Sequence, residues 1–405
     1  KSFSITNPIS RGYSQEWVNQ QFMASQNLMT TGFDFKFLKV NGVNYGVYGS
    51  ENHFSDGIIQ KYNLNPSGHI LKFDEGQLWE IRLKNKKHDK PESNVFMAAD
   101  VQSYNKNRVN KNAIQLKEFI ELGGLMDQLK YGDFVADSVF DITYQAKFLA
   151  MVDLFSSYHG LIWHNVRFYA DPQTKKLQQI GFDLNTPHGV KISTPALFQK
   201  NYGDFLYKPL FSSENFKKLY IENLIAFTSE TFIENMFLKL KPQLDKYEDA
   251  LFEEYDSTLI QNQYIRERAA YLRNVLRELD TNKYFKAKSN TYRPTIAPEE
   301  YKPFKNISVK AHTQTTSKKN KNVLIRNYYN KDVEIVGWIN PKPNNLQLLE
   351  TAYTLKKYTK NRTIPSNYTM EIPKEVKHLI YRVSGFDEDF KIKINKMPYP
   401  KSWVE

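Results

Sequence analysis

The sequence predicts an α+β chain in two parts, and three observations carry that assignment. Short alternating strands fill Phe33 to Phe73, amphipathic helical runs interrupted by one hairpin fill Ala113 to Leu279, and strand-like segments return from Asn322 to Ile394. The expected architecture is a small antiparallel sheet, a helical lobe with an embedded hairpin, and then a β-sandwich-like domain. The bounds read 1–285 for the first domain, 286–304 for a linker and 305–405 for the second. A chain of 405 residues has material for two cores of ordinary size.

Ser14 is placed to cap a helix through Trp17, Val18 and Phe22 to about Asn27. Phe33, Phe35 and Phe37 then alternate with polar neighbours, Asn41-Gly42 supplies a type I′ turn, and Val43 to Gly49 returns toward Glu51. Ile70 to Phe73 is a further strand and carries Lys72 between Leu71 and Phe73. Helices are expected over Ala113–Leu129 and Asp137–Tyr158, and after the hairpin over Glu214–Leu240 and Gln243–Leu279. In the last of these, Arg266, Arg268, Arg273 and Arg277 read as a solvent-facing charged stripe. Pro294, Pro298 and Pro303 break all periodicity in the linker. Beyond it, Asn322–Tyr328, Val333–Ile339, Tyr368–Ile372, His378–Val383 and Phe390–Ile394 read as strands of the second domain, where no catalytic cluster is visible.

The chemistry concentrates between His159 and Asn185. Val166 to Ala170 is β-branched and aromatic, Asp171-Pro172 is turn chemistry, and Leu177 to Phe182 leads into Asp183. Pairing of these strands sets Asn165 beside Asp183, two oxygen-bearing side chains suited to a hard cation. Tyr144, Phe148, Met151, Val152 and Phe155 form a buried helical stripe that delivers the chain to this loop. Helix, polar loop, hairpin and Asp follow one another in this order in protein kinases, where an Asn and an Asp hold the Mg²⁺ ions on ATP. The alternative is a hairpin whose Asn and Asp merely cap turns.

The run from Asp153 to Asn185 resembles the core of the spore coat protein H (CotH) kinase family, whose pattern is D-G-x-x-x-N-x-Y-x-Y, a D-P-x-T-G-K-like turn and W-D-x-D. Asp34 to Glu51 resembles that family's strand, N-G turn and strand ending in Glu, and Gly68 to Trp79 the strand that follows. The resemblance implies a kinase-like two-lobed domain over about residues 1–285, using ATP and Mg²⁺ to phosphorylate a protein hydroxyl. It carries Asn165 and Asp183 over as metal ligands. Where the family has an Asp before the Gly as base, this chain has His159 before Gly160, with one extra residue before Asn165. Phe182 replaces the Trp, and Asn185 replaces the second Asp. An imidazole with an unperturbed pKa of about 6.5 can take a hydroxyl proton, so His159 is the base candidate and His164 the spare. Asp153 reads as a structural carboxylate.

For the lysine that reaches the phosphates the candidates are Lys72 and Lys1, with Glu51 to hold it. No G-x-G-x-x-G or Walker A loop is present. A kinase-like fold without its base can also bind nucleotide without transferring phosphate, so the alternative is a pseudokinase acting as a cell-surface structural or binding protein. Family resemblance implies an extracytoplasmic or cell-surface location. The opening at Lys1, without Met, reads as a chain whose N-terminal part is missing.

Composition narrows the remaining classes. There is no Cys, which excludes disulfides, thiolate metal sites and cysteine nucleophiles. A net charge of +12 suits a polyanionic partner, yet Lys84–Lys87 and Lys318–Lys321 lack interleaved aromatics and read as solvated faces, so nucleic acid is not indicated. Mean hydropathy of −0.60 without a long apolar stretch gives no membrane span. The histidines show no zinc spacing, and His53 and His188 near the cleft read as structural. Asn306, Asn361 and Asn367 open sequons that matter only in a eukaryotic secretory setting.

Overall fold

The computed structural model describes residues 2–84, 95–96, 99–105, 108–109, 112–130, 134–185, 204–255, 263–286, 309–327, 329, 331–357 and 366–396. Lys1, Asn85–Lys87, His188, Asn306, Asn361 and residues 287–304 of the expected linker lie outside these. The chain divides into two units, and the division is not contiguous. Lys1–Lys72, Ser103–Asn105 and Phe134–Tyr292 form the first, whereas Phe73–Gln102, Lys106–Asp133 and Arg293–Glu405 form the second.

Along the chain come β1 (Phe3–Thr6), α1 (Gln15–Ser25), β2 (Phe33–Val40), β3 (Val43–Asn52), α2 (Asp56–Lys61), β4 (His69–Phe73), α3 (Gly76–Lys84) and β5 (Val101–Ser103). Next are α4 (Ala113–Gln128), α5 (Ala136–Val139), α6 (Ile142–Phe155), β6 (Arg167–Asp171) and β7 (Lys176–Gln179). The helices α7 (Asp204–Leu210), α8 (Glu214–Thr228), α9 (Glu230–Phe252), α10 (Gln263–Glu278) and α11 (Thr281–Lys286) follow. Strands β8 (Val309–Thr316), β9 (Asn320–Asn327), β10 (Val333–Pro341), β11 (Asn344–Leu355), β12 (Ser366–Pro373), β13 (His378–Val383) and β14 (Phe390–Lys396) complete it.

In the first unit β3 lies between β1 and β2, all antiparallel. Asn41 and Gly42 both take positive φ, 51° and 85°, as the I′ turn requires. A second antiparallel ladder pairs β4 with β6 and β6 with β7, and the Tyr104 N–H donates to the Ile70 carbonyl on the far side of β4 at 3.0 Å. The helices enclose an aromatic core in which Phe22 of α1 is met edge-on by Phe155, Phe232 and Phe237.

Helix boundaries shift where side chains cap. The stretch expected as one helix from Asp137 to Tyr158 is interrupted because the Asp141 carboxylate accepts the Tyr144 N–H at 3.1 Å and starts α6 afresh. Ser156, at φ 55°, ends it. Ser229 likewise accepts the Phe232 N–H and separates α8 from α9. The break expected after Leu240 does not occur. α9 runs through Pro242, carried by the buried stripe of Met236, Phe237, Leu240 and Leu244.

The second unit holds α3, α4 and one seven-stranded sheet of order β11-β10-β13-β14-β8-β9-β12, antiparallel except for β14 against β8. Two facing sheets were expected here. The single sheet instead curls until its edges approach, with Tyr353 and Tyr368 stacked at 3.6 Å and the Lys356 N–H donating to Ser366 Oγ at 3.1 Å. Its register shifts at a bulge between Ile335 and Gly337, where a Cβ on Gly337 would stand 2.1 Å from the Gln347 carbonyl oxygen, and again between Thr313 and Thr315. Val309, Ile325, Ile335, Leu379 and Ile392 are fully buried in its core. Lys321, expected to be solvated, is buried and donates to the Val376 carbonyl. Lys310 pairs with Asp100 at 3.3 Å, both buried, and among the described residues no helix is long and apolar enough to cross a membrane.

Candidate functional site

The site is built on the β6–β7 hairpin of the first unit. Phe168 pairs with Gln179 and Asp171 with Lys176. At the turn the Asp171 carboxylate accepts from the Gln173 N–H at 3.0 Å and from Thr174 Oγ at 2.9 Å, which fixes the register. With the register set, the residues just outside the ladder meet. Asn165 Nδ2 donates to Asp183 Oδ2 at 3.0 Å and to the His159 carbonyl at 3.1 Å, and His159 Nδ1 lies 2.6 Å from the same Asp183 oxygen. Gly160 allows this approach, because a Cβ there would stand 2.7 Å from the Phe182 carbonyl oxygen. Asp183 itself adopts φ 59°, a left-handed conformation that Asp tolerates better than most residues. The Asp183 side chain is 11% exposed and that of His159 is 42% exposed, so the carboxylate is enclosed and the imidazole faces outward.

A second layer joins Glu51 and Phe182 to residues that the sequence did not single out, Arg11, Glu16, Gln20 and Thr31. Arg11, at the end of the 3₁₀ turn Pro8–Arg11, gives one guanidinium nitrogen to Asp183 Oδ1 and another to Glu51 Oε2 at 3.2 Å. Glu51 Oε1 also accepts from Thr31 Oγ at 2.8 Å and from Gln20 Nε2 at 3.5 Å. Gln20 Nε2 donates to Glu16 Oε1 at 2.8 Å, so two carboxylates buried from water sit in one network. Burial, reinforced by the charge of Glu51 and opposed by Arg11 and Gln20, pushes the Glu16 carboxyl up to about 7. Burial also raises Glu51, against the pull of Arg11. Phe182, in the family's Trp position, has two guanidiniums near its ring, Arg11 at 5.4 Å and Arg167 at 5.8 Å from the ring centre.

The other candidates fall elsewhere. Lys72 stands opposite Arg167 in the ladder, with its Nζ 5.4 Å from the centre of the Tyr104 ring. The cation paired with Glu51 is Arg11. His53 shares a hydrogen bond with Ser4 Oγ at 2.8 Å. His164 is buried with its ring edge-on to Trp163. Asn185 Nδ2 donates to the Ser10 carbonyl at 3.5 Å. Asp153 is a structural carboxylate, accepting from Tyr158 and Tyr220 and from Arg268 Nη2 at 2.7 Å. Arg268 was expected to face solvent and instead is 1% exposed, drawn inward by that carboxylate and by the Asp153 carbonyl at 3.0 Å.

Among the described residues no group of three His, Asp or Glu side chains can hold a metal ion alone. The donor set does fit a Mg²⁺ that arrives with phosphate oxygens, which needs only one or two protein carboxylates. Asp183 supplies one, and Asn165 turns its NH₂ to that carboxylate, leaving its Oδ1 without a donor among the described residues. A family model described as CotH kinase protein matches residues 13–331. The chain belongs to the CotH kinase family. The family match extends past the expected linker through β8 and β9. Among curated proteins none matches the chain.

Proposed function

We propose that this CotH-family protein is an ATP- and Mg²⁺-dependent phosphotransferase acting on a protein hydroxyl. The observation that carries this reading is the meeting of Asn165, His159 and Asp183 around one carboxylate oxygen, at 3.0 and 2.6 Å, at the foot of one hairpin in a chain of a kinase family. Asp183 and Asn165 are the residues that would hold the metal, whose charge would neutralise phosphate oxygens during transfer. His159 is assigned the base role. With Nδ1–H directed at Asp183, Nε2 of a neutral ring accepts the acceptor hydroxyl's proton, and the exposed imidazole leaves room for a protein substrate. Phosphoryl transfer depends mostly on positioning and charge neutralisation, so a histidine in place of the family's Asp is compatible with turnover. Lys72 stays a proposed nucleotide-side residue although its expected partner Glu51 is held by Arg11, and we propose a cell-surface or extracytoplasmic location by family resemblance.

A second reading is favoured by His159 and Asn185 standing where the family pattern has Asp. It makes the protein a pseudokinase that binds nucleotide and serves as a surface structural or binding protein. The test is calorimetric titration of ATP with and without Mg²⁺ into wild type and Asp183→Ala, followed by labelled-phosphate transfer on the same samples. The kinase reading expects Mg²⁺-dependent binding and transfer in wild type, both lost in Asp183→Ala. It also expects His159→Ala to bind ATP normally and transfer about 10²- to 10⁴-fold more slowly. Binding without any transfer in wild type establishes the pseudokinase, and transfer retained in Asp183→Ala refutes the site.

A further inference from the structure

We infer that Arg11 is the phosphate-binding cation of this site and that, before ligand arrives, the same side chain blocks the metal-binding carboxylate. The inference rests on the nucleotide reading above and moves the phosphate contact from a strand lysine to an arginine on the N-terminal turn. Three features of Arg11 point to it.

Its backbone is held in place. Asn7 accepts the Ile9 N–H at 3.0 Å, and Gly12, at φ 64°, closes the turn by donating to the Ile9 carbonyl at 3.3 Å. The guanidinium therefore works from a fixed base, and at 17% side-chain exposure it reaches the edge of solvent.

Its two partners are unequal. Glu51 is buried and tied by Thr31 and Gln20, so it is a permanent anchor. Asp183 is the candidate metal ligand, and its Oδ1 is the oxygen that Arg11 occupies. A guanidinium carries five N–H donors in a rigid fork. It can release the Asp183 oxygen, keep Glu51 and present the freed nitrogens to phosphate oxygens, a bidentate geometry that an ammonium does not match.

Its position fits the exchange. A metal ion entering with a polyphosphate needs the Asp183 oxygen and brings anionic oxygens beside it. Arg11 then gives up a carboxylate and gains a phosphate at nearly the same place. A metal ion without phosphate has to displace Arg11 and offers it nothing in return.

This asymmetry predicts effects of opposite sign in one variant. Mn²⁺ alone, followed by electron paramagnetic resonance, and Mg·ATP, followed by calorimetry, are titrated into wild type, Arg11→Ala and Arg11→Lys, with adenosine as the control ligand. In Arg11→Ala the expected results are Mg·ATP affinity down by about 10- to 100-fold, the range for a lost charge-assisted hydrogen bond, with adenosine affinity unchanged and Mn²⁺ affinity raised. Arg11→Lys, which keeps the charge, is expected to lie between on ATP and to serve if the alanine variant is unstable. Equal Mg·ATP affinity in wild type and both variants, or parallel loss of Mn²⁺, ATP and adenosine, overturns the inference and leaves the nucleotide reading standing. A wild type that binds no Mg·ATP overturns both.

Discussion

Replacing Glu16 by Gln removes a carboxyl that is fully buried, bonded to Gln20 and close to the charge of Glu51. Burial first, and the Glu51 charge second, raise this carboxyl from its ordinary 4.5 to about 7 in the folded protein. The folded chain thus holds a proton that the unfolded chain has released between those two values. Below 4.5 both states are protonated and Glu16 costs nothing by ionisation. As pH rises, that stability is lost progressively until it is gone above about 7. The gap between 4.5 and about 7, at about 1.4 kcal/mol per tenfold change in proton affinity, comes to about 3–4 kcal/mol. Glutamine mimics the protonated acid and does not titrate. Urea unfolding of wild type and Glu16→Gln at pH 4.5 and pH 8, read from the fluorescence of Trp17 and Trp163 in this unit, measures the difference. The variant's stability relative to wild type should improve by about 3–4 kcal/mol on going from the lower to the higher pH, whatever constant offset the amide introduces. A relative stability independent of pH, or one that improves toward acid, refutes the argument.

Arg268→Met leaves the Asp153 carboxylate buried without its cation and should cost about 3–5 kcal/mol in denaturant unfolding, with part recovered in the double variant Asp153→Asn/Arg268→Met. Gly160→Ala places a methyl 2.7 Å from the Phe182 carbonyl oxygen and must push the His159 loop from the end of the hairpin. It should lower Mg·ATP affinity by about tenfold or more while costing only about 1–3 kcal/mol in thermal unfolding.

Local chemistry was readable in the sequence wherever the partner lay close along the chain. Asn41-Gly42 made its turn and Asp171 closed its hairpin, and the pairing of that hairpin brought Asn165 to Asp183. What escaped was decided across long separations. Glu16, Asn19 and Gln20 look like the wet side of an amphipathic helix, yet all three are buried, because Glu51, Thr31 and the Leu184 carbonyl meet that face. Arg11 carries no sequence signal of its own, since a cation after Ser10 and before Gly12 reads as an ordinary turn. Arg268 did have one: Asp153 in an apolar helix requires a buried partner, and the stripe on α10 was the place to look. The second unit gathers Phe73–Gln102 and Lys106–Asp133 with the C-terminal strands, an association that no local pattern encodes.

The left-handed backbone of Asp183, φ 59°, ties two requirements to one position. The chain must reverse there, which favours Gly, Asn or Asp, and the proposed metal-binding role needs a carboxylate, which leaves only Asp from that short set. Glu, the usual conservative exchange for a metal-binding Asp, meets the chemical demand and fails the conformational one. Asn or Gly at this position would therefore keep the reversal of the hairpin and lose the carboxylate. Under the proposed function, either exchange separates the fold, which it spares, from the metal-binding role, which it removes.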